Sequence, residues 1–466
     1  MTKHWVISLI MILLVQGCSL APKYKRPSMP IPLEYKEGDT WVLAKPSMVN
    51  KGYEHWWEIF EDPILNDLEQ KVTISNQDLQ AALARYENAL GALKVSESGL
   101  YPSIIAVSSV NRQQTSTTVA NPSINPRYND RLIGLDLSYE LDLWGKVRNA
   151  VYASKNRAQA SKFDLAALEL SLHAMLATHY FTLCSTDAKI KVLDQLIVAY
   201  EKALTITQNR FNEGLVAIPD VYQAQTQLEN TKASKTENTL IRAQLEHAIA
   251  ILTGIPPALF TLATTTQKTK IPLISPTLPS TLLERRPDVA AAEKRVMAAN
   301  AEIGVARAAF FPDINLVGTL GFESASFKNL FNSDSLFWSL GPQLSQWIFS
   351  GGKLEGLLDE AKAVYYETAA NYRQTVLNAF GEVEDNLAAQ KLLEIEINAQ
   401  KLALIAANNA QQQAVYRYEG GVATFLDVVI LENIALQAQL AEIDTHARRQ
   451  ITSVLLMKAL GGGWWN

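Results

Sequence analysis

The sequence predicts a mixed α and β membrane protein in which very long helices are combined with four membrane-crossing β-strands per chain. Three observations predict this. The stretches Lys146 to Asn212 and Lys353 to Glu419 contain no proline and are dominated by Ala, Leu, Gln, Glu and Lys, all strong helix formers. Four segments placed between helices alternate apolar with polar residues. The order helix, strand pair, very long helix, tight turn, helix occurs twice along the chain.

Composition narrows the classes first. Of 466 residues 48% are hydrophobic, enough for more than one ordinary core. After the N-terminus no run approaches the roughly 20 apolar residues of a membrane-spanning helix, so further membrane contact falls to strands or lipid. The formal charge of -5 is mild, and no basic stripe is present, which excludes a nucleic-acid footprint. Cys18 and Cys184 sit in unlike surroundings, which argues against a disulfide framework. Cys184 lies within helical periodicity, where a thiol acts as a small apolar group.

The N-terminus reads as an address. Lys3 and His4 precede the apolar stretch Trp5 to Val15, and Gln16, Gly17 and Cys18 follow, so residues 1–17 form a secretion signal. Cys18 resembles the bacterial lipobox cysteine, whose thiol receives diacylglycerol and whose freed amine is acylated. An ordinary cleaved signal with an incidental Cys is the alternative. Ser19 stands where an Asp would retain a lipoprotein in the inner membrane, and the pattern therefore implies transfer to the outer membrane. Acyl chains contribute about 0.8 kcal/mol per buried methylene, which anchors a chain but builds no channel.

The repeats are explicit. "RFNEGLVAIPDV" from Arg210 recurs as "RYEGGVATFLDV" from Arg417, 207 residues on. "WGKV" ending at Val147 answers "GGKL" ending at Leu354, "SGLYPSIIAV" answers "RAAFFPDINL", and "LTG" at Leu252 answers "ALG" at Ala459. At 1.5 Å per residue each proline-free stretch would reach roughly 100 Å. Leu165, Leu168, Leu172, Met175, Leu176 and His179 mark one buried face by their three-four spacing. Leu402, Ile405, Asn409, Gln412 and Tyr416 keep that spacing with polar members, as helices lining a wet space would; a long coiled coil with solvated faces fits as well.

In the strands, Ile133, Leu135, Leu137, Tyr139, Leu141 and Leu143 alternate with Gly134, Asp136, Ser138, Glu140 and Asp142. Ile314, Leu316, Leu320 and Phe322 alternate with Asp313, Asn315, Thr319 and Glu323, and Trp338, Leu340 and Leu344 with Ser339, Gln343 and Ser345. One lipid face and one watery face produce this pattern, and acids on the polar face suit a lumen better than a closed core. Tyr101, Trp144, Phe311 and Trp347 fall where strands meet helices, as an inner aromatic girdle would, although packing at such junctions also selects aromatics. The loops around Val119 to Asn129 and Ser324 to Ser335 would then face the cell exterior.

Four strands cannot close a barrel, and open edges are not tolerated in lipid, so several chains must combine. The two repeats, the "GCSLAPKYKRP" start, "WWEIFEDPIL", "LLERRPDVAAAE" and the "GGK" joint together resemble the TolC-like outer-membrane efflux family, in its lipoprotein, OprM-like (NodT) branch. The resemblance covers essentially the whole mature chain. It implies a homotrimer with a 12-stranded β-barrel and a 12-helix periplasmic α-barrel, encircled by an equatorial collar. Residues 18-62 would form the lipidated segment and part of the collar, 63-259 the first repeat, 260-282 an equatorial linker and 283-466 the second repeat with the C-terminus. Collar candidates are Thr40 to Asp62, Ile255 to Leu282 and Gly461 to Asn466.

The resemblance also assigns roles at the two tight turns, which would be periplasmic tips where the tunnel closes and an adaptor docks. Gly214, Leu215, Gly420, Gly421 and Val422 form these tips, the glycines because the left-handed conformation ends a helix cheaply. Pro219 and Thr424 suit the helix starts that follow. Asp427 would form an acidic ring at the tunnel mouth, with Tyr418 and Asp220 in a latch between neighbouring helices. For Asp220 the helix dipole alone explains an acid in a first turn. Ala423 stands where some members carry a latch arginine, and Ile430 where some carry a second acid, which points to a weaker latch and a single ring.

The implied function is the exit duct of a tripartite efflux system, of the type driven by RND transporters, exporting drugs or small solutes from the periplasm. Its partners would be a periplasmic adaptor, an inner-membrane transporter and outer-membrane lipid. A one-step (type I) protein secretion outlet or a metal efflux duct shares this architecture; a lipid-anchored coiled-coil scaffold without a pore is the different-class alternative. The chain contains no HExxH pair, P-loop or G-x-S-x-G elbow, so no enzyme, metal or cofactor reading arises apart from the lipid on Cys18.

Overall fold

The computed structural model describes residues 19–32, 35–37, 53–120, 124, 127–265, 271–272 and 285–462. The predicted signal 1–17, Cys18 and much of the three collar candidates lie outside them. A 3-10 turn, Tyr53–Phe60, leads into α1 (Pro63–Ser75) and α2 (Gln77–Ser98), then β1 (Ser103–Gln114), β2 (Arg127–Glu140), α3 (Lys146–Asn212) and α4 (Ile218–Leu252). The second half gives α5 (Pro287–Ala308), β3 (Asp313–Ser324), β4 (Leu336–Ser345), α6 (Lys353–Glu419) and α7 (Phe425–Ala459). Equivalent helices have equal lengths: α3 and α6 are 67 residues each, α4 and α7 are 35, and α2 and α5 are 22. The proline-free stretches are therefore helical from end to end.

The chain divides into two compact units, and each draws on both repeats. One comprises the described parts of 1–28, 85–162 and 291–374, and holds the strands. They form one antiparallel sheet in the order β1-β2-β3-β4. The register places Ile104 opposite Leu137, Leu137 opposite Gly318 and Gly318 opposite Leu340; the neighbouring row runs Ala106, Leu135, Leu320 and Trp338. Directly opposed residues share a face, so one side of the sheet is apolar across all four strands. The other side carries Asp130, Asp136, Ser138, Thr319, Glu323, Ser339 and Gln343. In one respect the alternation misleads: β2 ends at Glu140, so Leu141 and Leu143 lie beyond it. There Asp142 turns inward instead, accepting from the Arg148 amide at 2.9 Å and from its Nε at 3.0 Å.

The N-terminal segment lies in this same unit. Ser19 Oγ donates to Asn149 at 2.9 Å, Asn300 donates to the Pro22 carbonyl at 2.8 Å, and Arg26 forks onto Glu293 at 2.7 and 2.9 Å. Gly304 is obligatory for this course, because a Cβ there would stand 2.7 Å from Ala21 Cβ and 2.9 Å from its Cα.

The other unit comprises the described parts of 29–84, 163–290 and 375–466, and contains the main core: Trp56, Trp57, Phe60, Leu65, Leu68, Leu172, Leu176, Phe181, Ile249 and Val454. "WWEIFEDPIL" is thus a core-forming strap followed by a helix start. Asp62 caps α1 by accepting from the Ile64 and Leu65 amides, Pro63 sits in the first turn, and Tyr180 donates to the second Asp62 oxygen at 2.8 Å. The predicted stripe on α3 holds at Leu172 and Leu176 but not at Met175, which is 45% exposed. A helix wedged between several neighbours buries more than one stripe, and His173, Ala174, Ala177 and Tyr180 are buried as well.

The repeats also share a joint. Asn76, just before α2, donates to the carbonyl of Leu252 at 2.9 Å, and Arg286, just before α5, donates to that of Ala459 at 3.0 Å. Each partner is the last residue of the helix that ends its repeat. Gly254 and Gly461 follow with φ +71° and +92°, and an added Cβ would strike the Ser75 or Arg285 carbonyl.

Candidate functional site

The apolar face of the sheet is open rather than covered. Ile104 is 62% exposed, Trp338 72% and Leu344 65%, although all three are large apolar side chains. Exposed apolar side chains on all four strands of one sheet face mark a surface made for something other than water. β1 and β4 each have one unpaired edge in this sheet, and an apolar sheet with free backbone groups needs closure.

Four aromatics were expected at the strand–helix junctions, and they behave differently. Trp144 and Phe311 stack at 4.9 Å, and Trp144 Nε1 donates to the Pro312 carbonyl at 2.9 Å. Tyr101 and Trp347 are exposed, the latter with the Lys353 ammonium 5.6 Å from its ring. Sequence reasoning missed Ile348 and Phe349, 92% and 87% exposed, because no alternation singles them out. On the polar side of the same junction Lys146 bridges Glu140 and Asp313 at 3.1 and 3.0 Å.

The two tips are built alike. Leu215 N donates to the Arg210 carbonyl and Gly214 N to that of Phe211; Val422 N donates to Arg417 and Gly421 N to Tyr418. This paired pattern closes a helix with a left-handed residue, and Gly214 and Gly421 supply it with φ +73° and +72°. Gly420 does not take that conformation. It precedes the left-handed residue, so its place in the tip rests on something other than a positive φ. Leu215 and Val422 are 64% and 70% exposed.

The helix starts beyond the turns differ. Pro219 occupies the first turn of α4, whose N-cap Ala217 offers no side-chain bond. At α7 a full capping box forms: Thr424 Oγ1 accepts from the Asp427 amide at 3.3 Å, and Asp427 Oδ2 accepts from the Thr424 amide and hydroxyl at 2.8 Å each. The Thr424 hydroxyl, then its amide, with a smaller contribution from Arg417, hold the exposed Asp427 carboxyl below the usual range. Asp427 is charged at neutral pH and has a structural task.

Tyr418 joins the two tips. The Arg210 guanidinium lies over its ring at 4.7 Å and Phe425 packs at 5.6 Å. Its hydroxyl is enclosed yet has no hydrogen-bond partner among the described residues, so a Tyr418–Asp220 link is not made within the chain. Arg210 was missed as its neighbour, although it opens the repeated R-[FY]-x-x-G motif. Among the described residues there is no group of His, Cys, Asp and Glu able to hold a metal.

Comparison with known proteins agrees with this geometry. Residues 68–254 and 278–462 match the model of the outer membrane efflux protein family. The chain is 30% identical over its whole length to the probable efflux pump outer membrane protein TtgC of Pseudomonas putida, covering 96% of that protein. It is 29% identical to the cation efflux system protein CusC of Escherichia coli, over 97% of each chain. The structure of the outer-membrane channel OprN superposes with a TM-score of 0.87 at 28% identity, covering 96% of this chain and all of that one. With both repeats matched, the chain belongs to the outer membrane efflux protein family, a family of outer-membrane channels and not of enzymes.

Proposed function

We propose that three copies of this chain form the outer-membrane exit duct of a tripartite pump of the RND type, exporting drugs or other small solutes from the periplasm. The observation that carries the reading is the four-stranded sheet with one exposed apolar face, one acidic face and two free edges. Three such sheets joined edge to edge would pair every edge and make a 12-stranded barrel, apolar towards lipid and acidic towards the lumen. Three sets of α3, α4, α6 and α7 would continue as a 12-helix tunnel. Leu215 and Val422 at the tips would dock a periplasmic adaptor, which in turn engages an inner-membrane transporter.

Cys18 would carry the diacylglycerol and N-acyl chains. The docking of Ser19 to Pro22 against Asn149, Asn300 and Gly304 supports this, because it sets the mature N-terminus beside α3 and α5, which adjoin β2 and β3 in the chain. An acidic ring of Asp427 would close the periplasmic mouth, and a latch to Asp220 would require the Tyr418 hydroxyl to swing out of the enclosed position it holds within the chain. The experiment is single-channel recording of the purified protein together with labelling of Ser326→Cys in intact cells by a membrane-impermeant reagent. Discrete conductance steps and labelling without permeabilisation are expected. A non-conducting protein would favour the lipid-anchored scaffold, and labelling only after permeabilisation would reverse the topology.

A further inference from the structure

We propose that a cavity of about 320 Å³ beside the N-terminal segment binds the phosphate headgroup of an anionic phospholipid, distinct from the lipid on Cys18. Lys23, Lys25, Arg307 and Lys362 line it, with Tyr365 and Tyr366, and no carboxylate is among the lining side chains. Lys362 pairs with Asp359 at 3.0 Å, and Arg307 donates to the Leu20 carbonyl at 3.3 Å. Among the described residues Lys23, Lys25 and Arg307 make no ion pair. Arg26, the next cation along the chain, shows the contrast by forking onto Glu293.

Cations gathered round one concavity repel each other, and a bound anion relieves that repulsion through charge-assisted hydrogen bonds. Arg supplies a planar fork that matches phosphate oxygens, Lys supplies point charges, and the two tyrosines bring hydroxyls on apolar rings, which suits the bilayer interface. The volume is at the lower end of small-molecule sites and accommodates a glycerophosphate headgroup, not a whole lipid.

Position selects the source of the phosphate. Arg307 lies in the last turn of α5, six residues before Asp313, where β3 begins, a stretch that spans at most roughly 20 Å even when fully extended. Long basic side chains span several ångströms more and keep their charged ends among headgroups. On the reading that the strands cross the outer membrane, the cavity faces the periplasmic leaflet. The diacylglyceryl group on Cys18 is uncharged and cannot neutralise the cavity. Phosphatidylethanolamine would bring its own ammonium among the four cations, whereas phosphatidylglycerol brings only the phosphate negative charge.

The test is native mass spectrometry of the trimer from vesicles with equal phosphatidylglycerol and phosphatidylethanolamine. Three proteins are compared: wild type, Lys23→Gln/Lys25→Gln/Lys362→Gln, and Lys328→Gln, which removes a charge from the loop between β3 and β4. Wild type and Lys328→Gln should retain phosphatidylglycerol in preference to phosphatidylethanolamine, and the triple variant should lose at least five-fold of it. Inorganic phosphate at 10 mM should not displace the lipid. Equal retention by all three proteins, no preference between the lipids, or full displacement by inorganic phosphate would each overturn the proposal. Single-channel conductance of the same samples reads the pore independently, so loss of the lipid site and failure of the channel reading give different results.

Discussion

Arg286 donates to the carbonyl of Ala459 at 3.0 Å, the place in the second repeat that Asn76 and Leu252 hold in the first. Arg286 does more than Asn76. Its Nε and second terminal nitrogen fork onto Asp288 at 3.0 and 2.7 Å, and its first also reaches Glu382 at 2.6 Å. The side chain is 7% exposed, and desolvation works against its charge while Asp288 and Glu382 sustain it. The "RRPD" string is therefore a structural joint that ties the start of α5 to the end of α7. Arg286→Ala should cost about 1 to 3 kcal/mol, chiefly by leaving the buried Ala459 carbonyl unpaired, since Asp288 and Glu382 are themselves reached by solvent. Arg286→Lys should recover only part, since an ammonium cannot fork. The thermal unfolding midpoint of the protein in detergent measures both, and an unchanged value for Arg286→Ala would refute the role.

Much of this architecture was legible in advance, for physical reasons that differ by element. Equal lengths of α3 and α6 follow from proline-free runs bounded by the same glycine turn, a purely local signal. The strand faces were legible because register preserves period two across Leu135, Leu320 and Trp338. Local signals could not show that Arg210 would cap Tyr418, or that Met175 would escape the core, since both depend on which helices become neighbours. For the same reason Glu69 and His173, 104 residues apart, gave no warning in sequence.

That pair carries a pH prediction. His173 Nδ1 and Glu69 Oε2 are 2.6 Å apart with both side chains buried, Trp57 stacks on the imidazole at 4.4 Å, and Thr73 Oγ1 lies 3.3 Å from Nε2. Burial pushes the Glu69 carboxyl well above its ordinary value and pulls His173 down to about 4. For Glu69, raised in the folded state, the stabilising contribution is full below the unfolded value of 4.5 and fades as pH rises through the folded one. For His173, depressed in the folded state, it is full above 6.5 and fades as pH falls towards about 4. Glu69→Gln keeps a hydrogen-bonding partner without the charge, so it should stabilise the protein by about 1 kcal/mol near pH 8. It should leave the acid limb near pH 5 in place. Denaturation midpoints across pH decide this; a loss of stability near pH 8 would mean that the charged pair is the favoured state.

Gly304 tests the course of the N-terminal segment. Asn149 Nδ2 would lie 2.6 Å from an added Cβ, and the Ala21 Cβ and Cα 2.7 and 2.9 Å from it, all inside van der Waals contact. Gly304→Val should therefore displace residues 19–22, while α5 persists because valine is tolerated in helices at a cost below about 1 kcal/mol. Limited proteolysis should release the N-terminal segment from the variant and not from wild type. Equal protection in both would show that the segment is held by contacts elsewhere.

The capping box separates two roles that Asp427 combines. As a cap it accepts from the Thr424 amide and hydroxyl, and as a charge it would contribute to a three-fold ring at the closed mouth. Thr424→Ala removes the hydroxyl that caps α7 and keeps the carboxylate, so helix protection from amide exchange near Phe425 should fall by an amount equivalent to about 1 kcal/mol. Cation preference should survive. Asp427→Asn keeps an acceptor side chain and removes the charge, so trimer assembly should persist while cation preference and block by a trivalent cation weaken. The pH dependence follows from the same bonds. Thr424 holds the carboxyl of the single chain below its ordinary value, whereas neighbouring carboxylates in a ring would raise it, so block that persists as pH falls to 5 would show that the Thr424 bonds prevail. Planar-bilayer recordings of wild type and both variants, with the trivalent ion on the periplasmic side, provide the comparison. Weakened block in Thr424→Ala with none in Asp427→Asn would reverse the assignment: the residue would then serve α7 alone, and selectivity would belong to other side chains of the mouth.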